Sequence, residues 1–243
     1  MSDSVLRIGL LAPEVLGTYG DGGNALILAA RARMRGIDAE IVSVPLFDVV
    51  PSELDIYTLG GGEDTAQSLA VKHLEKHKGL ITAASKEKPI LAICASLQVL
   101  GRWYMDADNH KVDGLGLLDV ETTPMGFRAI GELVADPVLD GISEPLTGFE
   151  NHGGATTLGS EASPLGNVVV GCGNGVGGTE GVVQGSIIAT YMHGPVLARN
   201  PELADLLLER AIGHKVDPLP IDRDFVAPLR KQRLSSAKTR SAI

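Results

Sequence analysis

The chain is poor in cysteine, aromatic residues and basic residues, and each shortage argues against a class of protein. Cys94 and Cys172 are the only cysteines among 243 residues and form no CxxC pair, so a disulfide framework is not expected and a reducing cytoplasm is the expected compartment. Aromatic residues make up 4% of the chain, and 21 Lys and Arg residues against 30 Asp and Glu residues give a net charge of −9. Broad nucleic-acid binding needs basic groups and stacking rings, so it is not expected.

Long hydrophobic runs are also missing. No apolar run approaches the roughly 20 residues of a membrane helix. The amino-terminal MSDSVLRIGLLAPEVLG has no basic n-region, so we expect neither a signal peptide nor membrane insertion. A Walker A motif and a metal-ligand cluster are absent from the sequence, which predicts no ATP, metal or other cofactor in this chain. Hydrophobic residues nevertheless form 44% of the chain, enough for the core of one large domain.

Apolar strand-like segments alternate with helix-like segments through the first hundred residues. VLRIGLLAP, DIYTLGGG and PILAIC are near-continuous apolar runs, and helix-like stretches such as NALILAARARMRG and ASLQVLGRWY separate them. This order indicates a parallel sheet with helices on both faces. Short β-like runs broken by glycines follow, and then the helical NPELADLLLERAIG. We predict a three-layer α/β/α fold whose mainly parallel central sheet is extended by antiparallel strands. Residues 1–217 would form this domain, and 218–243 a partly ordered tail.

Cys94 stands where the buried strand PILAIC turns into the helix ASLQVLG. A helix amino terminus carries partial positive charge and free amide groups, so this position predicts a lowered thiol pKa. The amide of Ala95 would then donate to an oxyanion, as in a nucleophile elbow. The alternative is a buried structural cysteine.

A nucleophilic cysteine needs a base, and His193 is the best placed of six histidines. It ends the apolar run SIIATYMHG, so it would reach the same rim of the sheet as Cys94. His73 and His77 lie four apart on a charged helix and are expected on a solvated face. Taken alone, His193 would more often be a structural histidine.

Several motifs carry a family resemblance. ICASLQ and ATYMHG are similar to the cysteine and histidine motifs of class I glutamine amidotransferases. LAPEVLGTYGDGGN, LGGGEDTAQ, GFENHGGAT and TYMHGPVLARNPELAD resemble the cobyric-acid-synthase-like branch, and within it the glutaminase subunits of lipid II isoglutaminyl synthases. The resemblance covers about residues 5 to 213. Four separate motifs in the family's order make it specific.

The resemblance implies a role for each matching residue. Cys94 is the nucleophile, His193 the general base, and Gln98 lies beside the substrate. Arg128, in TTPMGFRAIGEL, takes the position of an arginine that binds glutamine. A guanidinium grips an α-carboxylate through two hydrogen bonds, so the chemistry agrees. Without the family, Arg128 would be a surface ion-pair residue.

The glycines Gly60, Gly61 and Gly62 form a second loop at this rim. A phosphate cradle is disfavoured because Glu63 and Asp64 follow. We expect a close approach to the substrate, with the amide of Gly61 as a second oxyanion donor; ordinary turn chemistry is the alternative.

The sequence departs from the family pattern in two ways. Ala92 and Ser96 replace the glycines that flank the cysteine, and Pro195 stands where many relatives carry an acid two residues after the histidine. Either a dyad acts, or an acid comes from elsewhere, from Glu150 or from a partner chain. No role is assigned to His152, and the glycine-rich loop around Cys172 is expected to contact a partner.

The implied function is hydrolysis of L-glutamine, with ammonia used on another chain. The resemblance implies a heterodimer with a Mur-ligase-like (MurT type) ATP-dependent synthetase, which would hold ATP and Mg²⁺ and amidate D-glutamate in lipid II to D-isoglutamine. Three alternatives stay open: a cobyrinic acid amidation system, a stand-alone γ-glutamyl cysteine hydrolase, and an inactive binding module.

Overall fold

The structure, a computed structural model, describes residues 5–76 and 78–241 and contains two β-sheets. The strands are β1 (Leu6–Leu11), β2 (Ala39–Val44), β3 (Ile56–Leu59), β4 (Ile90–Ile93), β5 (Trp103–Met105), β6 (Lys111–Asp113), β7 (Val120–Pro137), β8 (Leu146–Leu158), β9 (Gly166–Val170), β10 (Thr179–Glu180), β11 (Val182–Gln184) and β12 (Ile187–Thr190). The helices are α1 (Gly23–Arg33), α2 (Asp64–Lys76), α3 (Gly79–Ser85), α4 (Ala95–Leu100), α5 (Val196–Arg199), α6 (Pro201–Ile212) and α7 (Ala227–Ser241), with a π-helical segment, Asp222–Val226, before α7.

The first sheet has the order β11-β12-β4-β3-β1-β2 and is parallel except for β11. Every residue of β3, β4 and β12 is buried, which is why these strands appear in the sequence as unbroken apolar runs. Helices α1, α5 and α6 contact one another, and α2 contacts α4; α1 and α4 also contact strands of the sheet. The predicted α/β fold with a mainly parallel sheet is confirmed, and β11 is the antiparallel strand that extends it.

The remaining strands form a separate second sheet, in which the pairing is antiparallel except between β5 and β7. Its order is β10-β9-β7-β5-β6, and β8 also pairs with β7. The register of β7 and β8 shifts between Pro124 and Ala129, so the middle of this hairpin departs from regular pairing. An isolated antiparallel bridge between Phe149 and His193 connects β8 to the segment that follows β12. The two sheets therefore meet at the residue predicted to be the base.

The segment after residue 217, predicted as a partly ordered tail, contains the π-helical segment and α7 in its described part. Arg31 of α1 holds this segment on the domain, because its Nη2 lies 2.7 Å from both Asp205 Oδ2 and Asp222 Oδ2. The two carboxylates raise the pKa of Arg31 against the opposing effect of burial. The predicted boundary at 217 stays a prediction. Within the described ranges, no helix is both long and apolar enough to cross a membrane.

Candidate active site

Cys94 occupies a strained turn between β4 and α4. Its backbone has φ +50° and ψ −103°, a region that costs a residue with a side chain on the order of 1–3 kcal/mol. Two backbone bonds hold the turn: Cys94 N donates to Thr190 O of β12 at 2.8 Å, and Leu97 N donates to Cys94 O at 3.0 Å. This is the predicted elbow.

Ser96 explains one departure from the family motif. Its hydroxyl donates to Gly60 O at 2.6 Å and is completely buried. A glycine at this position could not make that bond. The serine therefore ties the elbow to the glycine loop that runs beside it.

The environment of Cys94 contradicts the predicted lowering of the thiol pKa. Burial raises the pKa of Cys94 to about 12, and the charge of Asp21 acts in the same direction. A hydrogen bond from the Ala95 amide and the charge of Arg128 oppose this rise without overcoming it. Desolvation of the thiolate exceeds the contribution of a helix amino terminus, and α4 has only six residues. The thiol therefore needs a base to remove its proton.

His193 reaches the elbow because of the strand register. Ile93 of β4 pairs with Thr190 of parallel β12, so Cys94 and His193 follow neighbouring strands at the same edge of the sheet. His193 N donates to Phe149 O at 2.8 Å, which fixes the backbone, and the residue is 1% exposed. Its Nε2 has no hydrogen-bond partner among the described residues. This nitrogen is available to accept a proton.

Asp21 is the acid that the sequence analysis missed. Its Oδ2 lies 2.8 Å from His193 Nδ1 and accepts a bond of 2.9 Å from Gly61 N, and its side chain is fully buried. An imidazole bonded through Nδ1–H to a carboxylate presents an unprotonated Nε2, which is the tautomer a general base needs. The signal in the sequence was a single acid among the glycines of TYGDGGN, directly after the first predicted strand. Pro195 cannot orient the histidine, and Asp21 from another loop takes that role.

Glu150, the internal acid considered from the sequence, serves another segment. Its carboxylate accepts the amides of Cys172 at 2.7 Å and Gly173 at 2.9 Å, and lies 3.4 Å from His152 Nε2. It therefore anchors the glycine-rich loop and does not orient His193. His152 is buried, stacks on Tyr191 with ring centroids 3.8 Å apart, and bonds Gly154 O at 3.0 Å.

Gly61 gives the imidazole room. A Cβ at this position would lie 2.6 Å from His193 Cε1, closer than real side chains allow. The predicted close approach is therefore to the histidine. The amide of Gly61 is occupied by Asp21, so its predicted role as an oxyanion donor does not fit this arrangement. The amide of Ala95, which bonds the Cys94 sulfur, stays the predicted donor.

The two predicted substrate-binding side chains have different surroundings. Arg128 is exposed on β7, and its Nε donates to Asn151 Oδ1 at 2.5 Å. Its charge opposes the rise in the pKa of Cys94 that burial causes. Gln98 is buried below the elbow, where it accepts from Gln67 Nε2 at 2.9 Å and donates to the Tyr191 hydroxyl at 3.2 Å. Gln98 supports the elbow helix, and its contact with substrate stays a prediction.

Other reactive groups lie apart from this arrangement. Cys172 is half-buried, its sulfur is 3.6 Å from Met125 Sδ, and burial raises the pKa of its thiol. Asp106, Asp108 and His110 could bring ligand atoms within 4.8 Å of one another, but they form a hydrogen-bonded turn between β5 and β6. His77 lies outside the described residues.

A cavity elsewhere in the molecule does not coincide with the candidate active site. A cavity of about 640 Å³ between α6 and the carboxyl-terminal helical segment contains none of the predicted site residues. The site is instead defined by converging strand ends and by buried polar contacts.

Comparison with known proteins agrees with this geometry. The model of the CobB/CobQ-like glutamine amidotransferase domain matches residues 7–201. The chain is 36% identical over 217 residues to the lipid II isoglutaminyl synthase (glutamine-hydrolyzing) subunit GatD of Staphylococcus aureus, with 87% of each chain covered. It is 33% identical to the corresponding subunit of Streptococcus pneumoniae, with 97% of this chain and 93% of the relative covered. A probable cobyric acid synthase of Methanothermobacter thermautotrophicus is 35% identical, but the match covers 64% of this chain and 33% of that protein.

Solved structures share the fold at low sequence identity. A glutamine amidotransferase crystal structure has a TM-score of 0.55 at 18% identity and covers 84% of this chain and 98% of its own. The glutaminase domain of Trypanosoma brucei CTPS with bound acivicin has a TM-score of 0.53 at 10% identity and covers 88% and 96%. With the family model matched over most of its length, the chain belongs to the CobB/CobQ-like glutamine amidotransferases.

Proposed function

We propose that this chain is the glutaminase subunit of a lipid II isoglutaminyl synthase: it hydrolyses L-glutamine at Cys94 and supplies the ammonia to a synthetase subunit. The observation that carries the proposal is the strained, buried Cys94 at the end of the strand that pairs with the one leading to His193, whose Nδ1 is held 2.8 Å from Asp21. The family and the names of its two GatD relatives support the substrate and the pathway.

The first half of the reaction forms a thioester. His193 Nε2 takes the proton of Cys94, and the thiolate sulfur bonds to the side-chain amide carbon of glutamine. The resulting oxyanion accepts a hydrogen bond from the Ala95 amide. His193 then returns the proton to the departing nitrogen as the carbon–nitrogen bond breaks, which releases ammonia.

The second half frees the enzyme. His193 takes a proton from water as the water oxygen bonds to the thioester carbon; the carbon–sulfur bond then breaks and His193 returns the proton to the sulfur, which gives glutamate and the Cys94 thiol. Asp21 stabilises the imidazolium in both halves, because its buried carboxylate lies against the protonated Nδ1. No step of this hydrolysis requires a metal or a cofactor.

Recognition of glutamine is assigned to Arg128. The α-carboxylate distinguishes free glutamine from a glutamine side chain within a peptide, and a guanidinium binds it through a fork of two hydrogen bonds. The charge of Arg128 acts on Cys94, which supports a position near the reacting amide.

The use of ammonia is assigned to another chain. Amidation of a carboxylate needs prior activation, and we assign ATP and Mg²⁺ to a Mur-ligase-like subunit of the MurT type in a cytoplasmic heterodimer. The complex would convert D-glutamate of the lipid II stem peptide to D-isoglutamine. The names of the two GatD relatives support a partner, because each of these proteins is described as a subunit.

The experiment is to measure glutamate release by the full chain, alone and with its co-purified synthetase. Cys94→Ser should abolish release, and a glutamine-analogue electrophile should modify Cys94. Cys172→Ser is the matched control and should keep full activity. Labelling of Cys172, or an active Cys94→Ser protein, would refute the assignment.

A second candidate is ammonia supply for cobyrinic acid amidation, because cobyric acid synthases are also similar to this chain. The match covers only 33% of that relative, so about two thirds of its length is not matched by this chain. Identifying the co-purifying synthetase distinguishes the two. Glutaminase activity that never responds to a partner would instead favour a stand-alone hydrolase.

A further inference from the structure

Asn151 connects the predicted substrate-binding arginine to the loop that carries Asp21. Its Oδ1 accepts from Arg128 Nε at 2.5 Å, and its Nδ2 donates to the Tyr19 hydroxyl. Tyr19 precedes Asp21 by two residues in the loop between β1 and α1. We call these three residues, Tyr19, Asn151 and Arg128, the clasp.

The clasp leaves the binding edge of Arg128 open. Asn151 occupies one side of the guanidinium, through Oδ1 at Nε and through its backbone oxygen, 3.5 Å from Nη2. The remaining N–H groups of Arg128, on Nη1 and Nη2, have no hydrogen-bond acceptor among the described residues. These two nitrogens form the fork that matches the two oxygens of a carboxylate. Asn151 therefore fixes the orientation of the fork without occupying it.

The clasp also touches the general base. The Tyr19 ring meets the His193 ring edge-on, with centroids 4.9 Å apart, and lies 6.3 Å from the Phe149 ring. The backbone of Tyr19 has φ +58°, a left-handed conformation that a bulky residue seldom adopts. Its contacts with Asn151 and His193 oppose the cost of that conformation. The Tyr19 ring is consequently held against the imidazole of His193, and Asp21 of the same loop orients that imidazole.

We propose that Asn151 is a positioning residue for glutamine recognition: it pre-orients Arg128 for the α-carboxylate and, through Tyr19, links the bound carboxylate to the His193 loop. This inference rests on the proposed function, since it assigns Arg128 to the substrate. Pre-orientation lowers the entropy cost of forming the two hydrogen bonds, so loss of Asn151 weakens binding more than chemistry.

The test is a kinetic series on the full chain with its co-purified synthetase. Asn151→Ala should raise KM for L-glutamine about 10-fold or more and change kcat by less than about threefold. Tyr19→Phe removes the hydroxyl but keeps the ring, and should raise KM by a few fold only. Asn167→Ala is the matched control, because Asn167 is an exposed strand asparagine outside the clasp.

A second measurement separates positioning from a structural role. Iodoacetamide has no α-carboxylate, so its rate of reaction with Cys94 should be the same in Asn151→Ala and in the unchanged protein. An unchanged KM, or a parallel loss of kcat and of iodoacetamide reactivity, would overturn the proposal. If the wild-type complex releases no glutamate, the proposed function fails. The role of Asn151 can still be tested by comparing the affinity for L-glutamine of Cys94→Ala with that of the Cys94→Ala, Asn151→Ala double variant.

Discussion

The two sheets contribute different parts of the site. The parallel sheet supplies Cys94 and His193 at the ends of adjacent buried strands, whose register leaves little freedom. The second sheet carries Arg128, which is exposed at the register shift of β7, and the half-buried Asn151 of β8. We propose that the chemistry is carried by the parallel sheet and the recognition of substrate by the second sheet. If this division is correct, substitutions on the first side should lower kcat, and those on the second should raise KM.

The largest expected effect comes from Asp21 and would test the first side. Asp21→Asn keeps the size of the side chain but removes the charge that stabilises the imidazolium, and it permits the wrong histidine tautomer. We expect kcat for glutamine hydrolysis to fall by about 10³–10⁴-fold, the effect of losing the acid in a comparable triad. Glutamate release at saturating glutamine measures it.

Asp119→Asn is the matched control for Asp21→Asn. Asp119 is also buried, and its carboxylate accepts a hydrogen bond from the Glu161 amide, in a loop that is distant in sequence from the elbow. Retention of kcat in Asp21→Asn would show that the acid does not orient the base. A carboxylate supplied by the synthetase would then again be required.

The second prediction tests the recognition side. Arg128→Ala should lower kcat/KM for glutamine by about 10²–10³-fold, equivalent to roughly 3–4 kcal/mol, through KM. Arg128→Lys should restore little, because an ammonium lacks the planar fork. Arg102→Ala, at another exposed arginine, provides the comparison. Loss of kcat at unchanged KM would place Arg128 with the catalytic groups and remove the division between the sheets.

The smallest expected effect concerns the contact between the sheets. Glu180 of β10 is fully buried, and its Oε1 accepts from the Thr190 hydroxyl and from Tyr191 N. Burial raises the pKa of Glu180 from 4.5 to about 7. Between these two pH values, the carboxyl keeps its proton in the folded state and loses it in the unfolded state. The free energy of unfolding should therefore fall as pH rises from 4.5 to 7, by about 2–3 kcal/mol.

Chemical denaturation across this pH range measures the effect. Glu180→Gln should lose this part of the pH dependence, whereas Glu75→Gln, at an exposed helix position, should keep it. An identical pH dependence in Glu180→Gln and the unchanged protein would contradict the assignment.

The sequence allowed the parallel sheet to be predicted because its buried strands are continuous apolar runs, and Cys94 and His193 followed from strand ends. Asp21 could not be recognised in the same way, since an aspartate among glycines is also typical of a turn. Asn151 depends on which residues β7 and β8 bring together across an irregular register, which no local pattern specifies. The predicted thiol pKa was wrong because burial depth, which dominates it, is a property of the assembled fold.

The high pKa of Cys94 has a consequence for the resting protein. Oxidants and disulfides react with the thiolate, and a thiol with a pKa near 12 is almost entirely neutral at physiological pH. We therefore expect burial to slow the reaction of Cys94 with peroxide and with disulfides. We expect the thiolate to form when His193 takes the proton, so resting Cys94 should react more slowly with peroxide than a cysteine that is ionised at rest.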